Sequence, residues 1–253
     1  MRTLMLTLAY DGTEFVGWQR QKGQSSIQGE IEARLALMTN DVVTLHGAGR
    51  TDAGVHALGM TASFETIAVI PCAGFLRGLN SLLPPAIRVL AVEEKEPGFH
   101  ARFNAKGKSY LYHLRTGAVE LPTRRLYSCH VRQPLALPPM RQCLALLNGE
   151  HDFAAFEAVG SRDLDYKGGR GSVRTIFRAE LVVDGADSPD LTIELAGDGF
   201  LRHMVRNIVG TLLEVGMARM SPDDFVAVLA GRDRSAAGAT APARGLFLKE
   251  VYY

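Results

Sequence analysis

This chain of 253 residues predicts an α+β fold. Strand-like runs fall in hairpin-like neighbours with helices set apart from them, which disfavours a doubly wound sheet. The second half repeats the order of elements in the first without any literal repeat of sequence. Between the halves lies a charged segment, Glu93 to Gly98, that ends in Pro97-Gly98.

The first half reads strand, helix, strand, strand, helix, strand. Met1 to Tyr10 alternates and stops at the Asp11-Gly12 turn, which suits a strand better than a signal peptide. Ser25-Ser26-Ile27-Gln28 has a capping-box pattern, and Ile27, Ile31 and Leu35 follow at helical spacing. Val42 to His46 is β-branched and apolar, and Val55 to Phe64 is a second extended run. Pro71 opens a helix with the stripe Phe75, Leu76, Leu79 and Leu83, which Pro84-Pro85 stops before a strand at Ile87 to Val92. The expected domains are residues 1–104 and 105–253.

In the second half, Lys108 to Arg115 alternates, so that Tyr110, Tyr112 and Leu114 share a face. Met140, Cys143, Leu144 and Leu147 predict a helix after Pro138-Pro139. Ser161 to Ser172 is glycine-rich and charged, and reads as a mobile loop. Strands follow at Val173–Val183 and Leu191–Ala196, then a helix with the stripe Met204, Val205, Ile208, Leu212 and Val215. Ser221-Pro222-Asp223-Asp224 starts another helix with cap, proline and acidic first turn in order, and Leu246 to Tyr252 is a last strand.

Composition excludes more than it assigns. No apolar run approaches the ~20 residues that span a bilayer, so no membrane role is expected. Cys72, Cys129 and Cys143 are far apart with no CxxC or His pairing, which points to reduced cytoplasmic thiols and no metal site. The net charge of +1 does not suggest a nucleic-acid partner. Local clusters do offer positive faces: Arg102, Lys106 and Lys108, then Arg115, Arg124 and Arg125, then Arg162, Lys167, Arg170, Arg174 and Arg178. Solvated surface is the ordinary role of such runs.

The chemistry concentrates at Gly47 to Ala57, where Asp52 and Arg50 sit among Gly47, Gly49 and Gly54. Glycines let the backbone bend so that a ligand can approach it closely. Asp52 then lies at a strand-to-strand junction, where a rigid scaffold can present a catalytic group. Two other readings stand beside this one. Asp52 can be a turn residue bonding its own backbone. The glycines also loosely imitate a dinucleotide fingerprint, but that needs a helix next, and Thr61 to Phe64 is extended instead.

Gly49-Arg50-Thr51-Asp52-Ala53-Gly54-Val55-His56-Ala57 resembles the active-site motif of the TruA-type tRNA pseudouridine synthases. The likeness continues in order through Tyr10-Asp11-Gly12-Thr13, Gly17-Trp18-Gln19-Arg20-Gln21, Phe99-His100-Ala101-Arg102-Phe103 and Tyr110-Leu111-Tyr112. It ends with Arg202-His203-Met204-Val205-Arg206-Asn207-Ile208-Val209-Gly210 and Gly245-Leu246-Phe247-Leu248, so it spans nearly the whole chain. The resemblance implies two related α/β-sandwich halves sharing a continuous, mainly antiparallel sheet with a central active-site cleft, in a cytoplasmic homodimer. It implies isomerisation of uridine to pseudouridine at positions 38, 39 and 40 in the anticodon stem-loop of tRNAs, without a cofactor.

Residue roles follow from the same resemblance. Asp52 is the catalytic carboxylate, attacking C1′ or taking a proton from the sugar. Arg50 fills the space of the flipped base and contacts the backbone, its plain alternative being an ion pair. Tyr110 stacks on the uracil, where an alternating strand alone gives a core aromatic. Arg206 pairs with the carboxylate and keeps it ionised, or else is a surface arginine. Leu246 packs against the uracil or is simply a core leucine. His56, His100 and His203 lack HxxxH spacing and read as structural, and Trp18 reads as packing between core and loop. The alternative functions are a non-catalytic tRNA-binding or folding module, and a nucleotide-dependent oxidoreductase.

Overall fold

Strand β1 (Arg2–Tyr10) shows how the first unit is built. Its alternate residues Leu4, Leu6, Leu8 and Tyr10 are buried, each apolar side chain contributing about 1.5–3 kcal/mol. The computed structural model describes residues 1–161, 169–185 and 188–253. Most of the loop expected at 161–172, with Arg162 and Lys167, lies outside the described residues. Two compact units emerge, one of residues 1–108 with 247–253 and one of 109–246.

In the first unit β1 is followed by α1 (Ile27–Thr39), β2 (His46–Gly47), β3 (His56–Thr66), α2 (Cys72–Leu82) and β4 (Ile87–Lys95). β1 pairs antiparallel with both β3 and β4. β4 runs three residues into the segment expected as a boundary, because Glu93, Glu94 and Lys95 complete the ladder with Met5, Leu4 and Thr3. α1 packs on α2, and α2 on β4.

Two local expectations for this unit are corrected. The helix cap is Ser26 alone, whose hydroxyl accepts from Gly29 N at 3.3 Å. Gln28 is not the reciprocal partner in a capping box; its amide turns to Glu32 and to the Leu45 carbonyl. Glu32, though buried, also accepts from Leu45 N at 3.0 Å. These side chains take both backbone groups of Leu45, and Val42 N donates to the Asp41 carboxylate at 2.7 Å; Val42 to Leu45 is irregular and only His46–Gly47 is strand.

The second unit comprises β5 (Gly107–Thr116) from Ser109 onward, β6 (Cys129–Val131), α3 (Leu137–Leu146), β7 (Gly149–Asp152), β8 (Val173–Val183), β9 (Asp190–Gly197), α4 (Met204–Gly216) and α5 (Pro222–Gly231). Its strands lie in the order β5, β9, β8, β7, with β6 parallel to β5. α3 packs on β8, α4 and α5, and α4 is buried almost all round. Ser221 caps α5 in a full capping box with Asp224, whose carboxyl is held below its ordinary pKa by the Ser221 hydroxyl. The last strand, β10 (Leu246–Tyr252), returns to the first unit from Phe247 onward, where Phe247 and Leu248 pair in parallel with His56 and Ala57. The architecture is α+β with mainly antiparallel pairing.

Candidate active site

The Asp52 loop joins β2 to β3, with its turn at Ala53 and Gly54, where Gly54 has φ +74°. Val55 N donates to the Asp52 carbonyl at 3.2 Å and closes that turn. The backbone is then braced from outside. Gly17 bridges to Asp52, and Trp18 N donates to the Thr51 carbonyl at 3.0 Å. Gly17 has φ +104°, and a Cβ there would stand 2.5 Å from the Thr51 oxygen and 2.9 Å from the Asp52 carbonyl carbon. Only glycine permits that approach.

The brace is itself anchored. Ile27 N donates to the Gly17 carbonyl at 3.2 Å and Gln28 N to that of Trp18 at 3.0 Å, so the start of α1 holds the segment under the loop. Trp18 is only 2% exposed, and its indole occupies the space beside Gly47. From β1, the Tyr10 hydroxyl meets the buried Thr51 hydroxyl at 2.9 Å. Thr51→Val is expected to cost about 1–2 kcal/mol through the loss of this buried hydrogen bond, read as a lower urea midpoint.

Asp52 is half-buried and Arg50 exposed, so one loop presents a partly sheltered carboxylate and a solvent-facing guanidinium. The Lys108 amine stands 3.2 Å from where a Cβ on Gly49 would be, bringing a further cation to this loop. His56 is buried, stacks on Phe247 at 4.5 Å, and accepts from Gly12 N through Nδ1 at 3.1 Å. Those contacts fit a structural histidine. His100 lies against His46 and Phe103, and desolvation together with His46 lowers its pKa.

Tyr110, Arg206 and Leu246 belong to the second unit. Along β5, Tyr112 and Leu114 are buried while Tyr110 stays half-open, edge-on to Phe200 at 4.9 Å. Burial pushes the Tyr112 phenol pKa up, and its hydroxyl donates to the Pro242 carbonyl at 2.8 Å. Leu246 is buried.

Arg206 is half-buried in the first turn of α4, where the helix dipole favours acids over bases. Its Nε donates to the Ala241 carbonyl at 2.7 Å, and Ala241 N returns a bond to the Arg206 carbonyl at 3.1 Å. His203 occupies the N-cap position of this helix without a side-chain cap bond, at φ +62° in the left-handed region that non-glycine residues seldom adopt.

Sequence reasoning identified Asp52, Arg50 and Arg206 as candidates but not what supports them. Gly17 and Ala241 act through backbone contacts with residues distant in the chain, and no periodicity marks those. The only sequence signal was that both neighbourhoods lie in or near the blocks carrying the family likeness. Chemically, the loop offers a carboxylate carried on a braced backbone, with Arg50 and Lys108 on or beside the same loop, suited to attack on an electrophilic carbon or to proton transfer.

A family model described as tRNA pseudouridine synthase matches residues 7–104 and 144–253. Asp52, Arg206 and Leu246 fall inside the matched stretches, and Tyr110 falls between them. The chain is similar to tRNA pseudouridine synthase A 1 of Desulfotalea psychrophila, 51% identical over 253 residues and covering all of both chains. It is 44% identical over 253 residues to tRNA pseudouridine synthase A of Geobacter sulfurreducens, again covering all of both. The Moorella thermoacetica protein of the same name is 44% identical over 255 residues, with full coverage of each.

Proposed function

The chain belongs to the tRNA pseudouridine synthase family, and we propose that Asp52 is the carboxylate with which it isomerises uridine to pseudouridine. The reaction breaks the N1–C1′ bond, turns the uracil and rejoins it through C5. C5 loses a proton and N1 gains one, so nothing is oxidised and no group donor is consumed. Attack by Asp52 on C1′ and removal of a sugar proton both require its ionised form at the sugar.

The observation that carries this assignment is the bracing of the Asp52 loop by Gly17 and Trp18 on one side and Tyr10 on the other. A turn that merely connected two strands would need no such support. The target uridine must leave its stack at a cost of a few kcal/mol, least where bases are already partly unstacked. That favours the anticodon stem-loop, with positions 38, 39 and 40 as the substrates. Arg50 fills the vacated space, Arg206 is the partner of the carboxylate, and Leu246 packs on the uracil. We take the protein as cytoplasmic, a reading supported by the free thiols of Cys72, Cys129 and Cys143, and as a homodimer on the family likeness alone.

Tyr110 is assigned to stack on the flipped uracil, and its half-open ring supports that role. Such stacking contributes about 1–3 kcal/mol, so Tyr110→Ala is expected to lower kcat/KM by about 10–100-fold. Tyr110→Phe should keep most activity. The assay is release of tritium from C5 of labelled uridine in tRNA transcripts. A Phe variant as impaired as the Ala variant would make the hydroxyl a proton carrier and overturn the stacking role.

A further inference from the structure

We infer that Arg234 is a positioning residue for the pseudouridine reaction, acting through the segment Ala237–Ala241 to hold Arg206. This rests on Arg206's proposed role as partner of the catalytic carboxylate. Arg234 is half-buried and reaches four acceptors with its two terminal nitrogens. Nη1 donates to the carbonyls of Ala237 at 3.3 Å and Gly238 at 3.0 Å. Nη2 donates to Asn207 Oδ1 and to Thr240 Oγ1, each at 3.1 Å. Thr240 Oγ1 in turn donates to Asn207 Oδ1 at 2.7 Å, which closes a three-membered polar ring.

The ring ties this segment to α4 beside the functional arginine. Asn207 follows Arg206 in the helix, is fully buried, and is itself fixed by donating to the Phe156 carbonyl at 2.8 Å. Gly238 N donates to the Thr211 hydroxyl at 2.9 Å. The segment lies so close to α4 that a Cβ on Gly210 would stand 1.7 Å from the Ala239 oxygen. One residue beyond Thr240, the Ala241 carbonyl receives Arg206 Nε. The Arg206 guanidinium is therefore aimed by a carbonyl whose position Arg234 sets. A planar fork serving four acceptors is something lysine cannot reproduce.

Arg234 also borders an open cavity with Arg202 and His203, so direct contact with an RNA phosphate is the competing role. The test is a double-mutant cycle on the single-turnover rate, using Arg206→Ala, Arg234→Ala and the double variant, with tRNA affinity measured alongside. Misplacement of a catalytic partner by about 1 Å can cost about 100-fold, so Arg234→Ala is expected to slow turnover by about 10–100-fold. Binding should stay within about threefold, as expected for a loss felt only at the reacting step. Arg234→Lys should be slowed similarly. In the Arg206→Ala background, Arg234→Ala should cost less than about twofold more.

Thr240→Val, which removes one link of the ring, serves the same cycle should Arg234→Ala fold poorly. Additive losses, an unimpaired Arg234 variant, or a loss confined to tRNA binding would each overturn the inference while leaving Arg206's role intact. An Arg206→Ala protein with normal turnover would instead remove Arg206 from the reaction, and the inference with it.

Discussion

Asp52→Asn is expected to slow pseudouridine formation by about 1,000-fold or more, because it removes the nucleophile or base while keeping the side chain's shape. Binding of tRNA should change by no more than about threefold, since interactions felt only along the reaction path leave ground-state affinity alone. The substitution is nearly isosteric, and the loop is held through backbone groups of Thr51, Asp52 and Val55 rather than through the carboxylate alone. The fold should therefore survive, and the loss should sit in the chemical step. Single-turnover tritium release with saturating enzyme separates that step from binding. Turnover within about tenfold of the parent would remove Asp52 from its assigned role, being below the range of general acid–base catalysis.

Gly17→Ala is the second large effect. Its backbone, at φ +104°, disfavours any side chain, and the new Cβ would sit 2.5 Å from the Thr51 oxygen. Strain and overpacking together give a loss of about 2–5 kcal/mol. For a chain of this size that corresponds to a melting midpoint lower by about 5–15 °C. At temperatures where the variant remains folded, displacement of the Asp52 loop should slow turnover at least about tenfold. Gly98→Ala is the control, because Gly98 also has positive φ, +85°, but open space around it. It should cost only about 1 kcal/mol and leave catalysis unchanged. If Gly17→Ala were as active as Gly98→Ala, the brace beneath Asp52 would have no part in placing it.

Where local chemistry decides the structure, the sequence disclosed it well. Ser221-Pro222-Asp223-Asp224 announced a capped helix, and the structure has both bonds of the box. Alternation in β1 named Leu4, Leu6, Leu8 and Tyr10 as buried, whereas the stripe of α4 named only part of a helix that is buried almost all round, Asn207, Val209, Thr211 and Leu213 included. The run Val42 to His46 misled at Leu45 because the partners of its backbone, Gln28 and Glu32, sit on a helix many residues earlier. β7 carries Gly149-Glu150-His151-Asp152, which has no apolar alternation, and only pairing with β8 makes it a strand.

The candidate site divides in the same way. Asp52, Arg50 and Arg206 stood out because their residue types and neighbours form an ordered string. Their supports did not. Gly17 matters through the atoms it allows near Thr51, and Ala241 through one carbonyl aimed at Arg206. Such contacts have no residue-type signature, since any amino acid carries the same carbonyl. They become visible only when distant segments are brought side by side.

Site-by-site mapping of pseudouridine in unmodified tRNA transcripts, after incubation with the parent protein or with Asp52→Asn, most directly tests Asp52 as the group that converts uridine. The parent should produce pseudouridine at positions 38, 39 and 40 wherever uridine occurs there, and the variant none detectable at any of them in the time the parent needs for completion. Equal modification by both proteins would contradict the assignment of Asp52, and modification confined to other positions would contradict the assigned substrate.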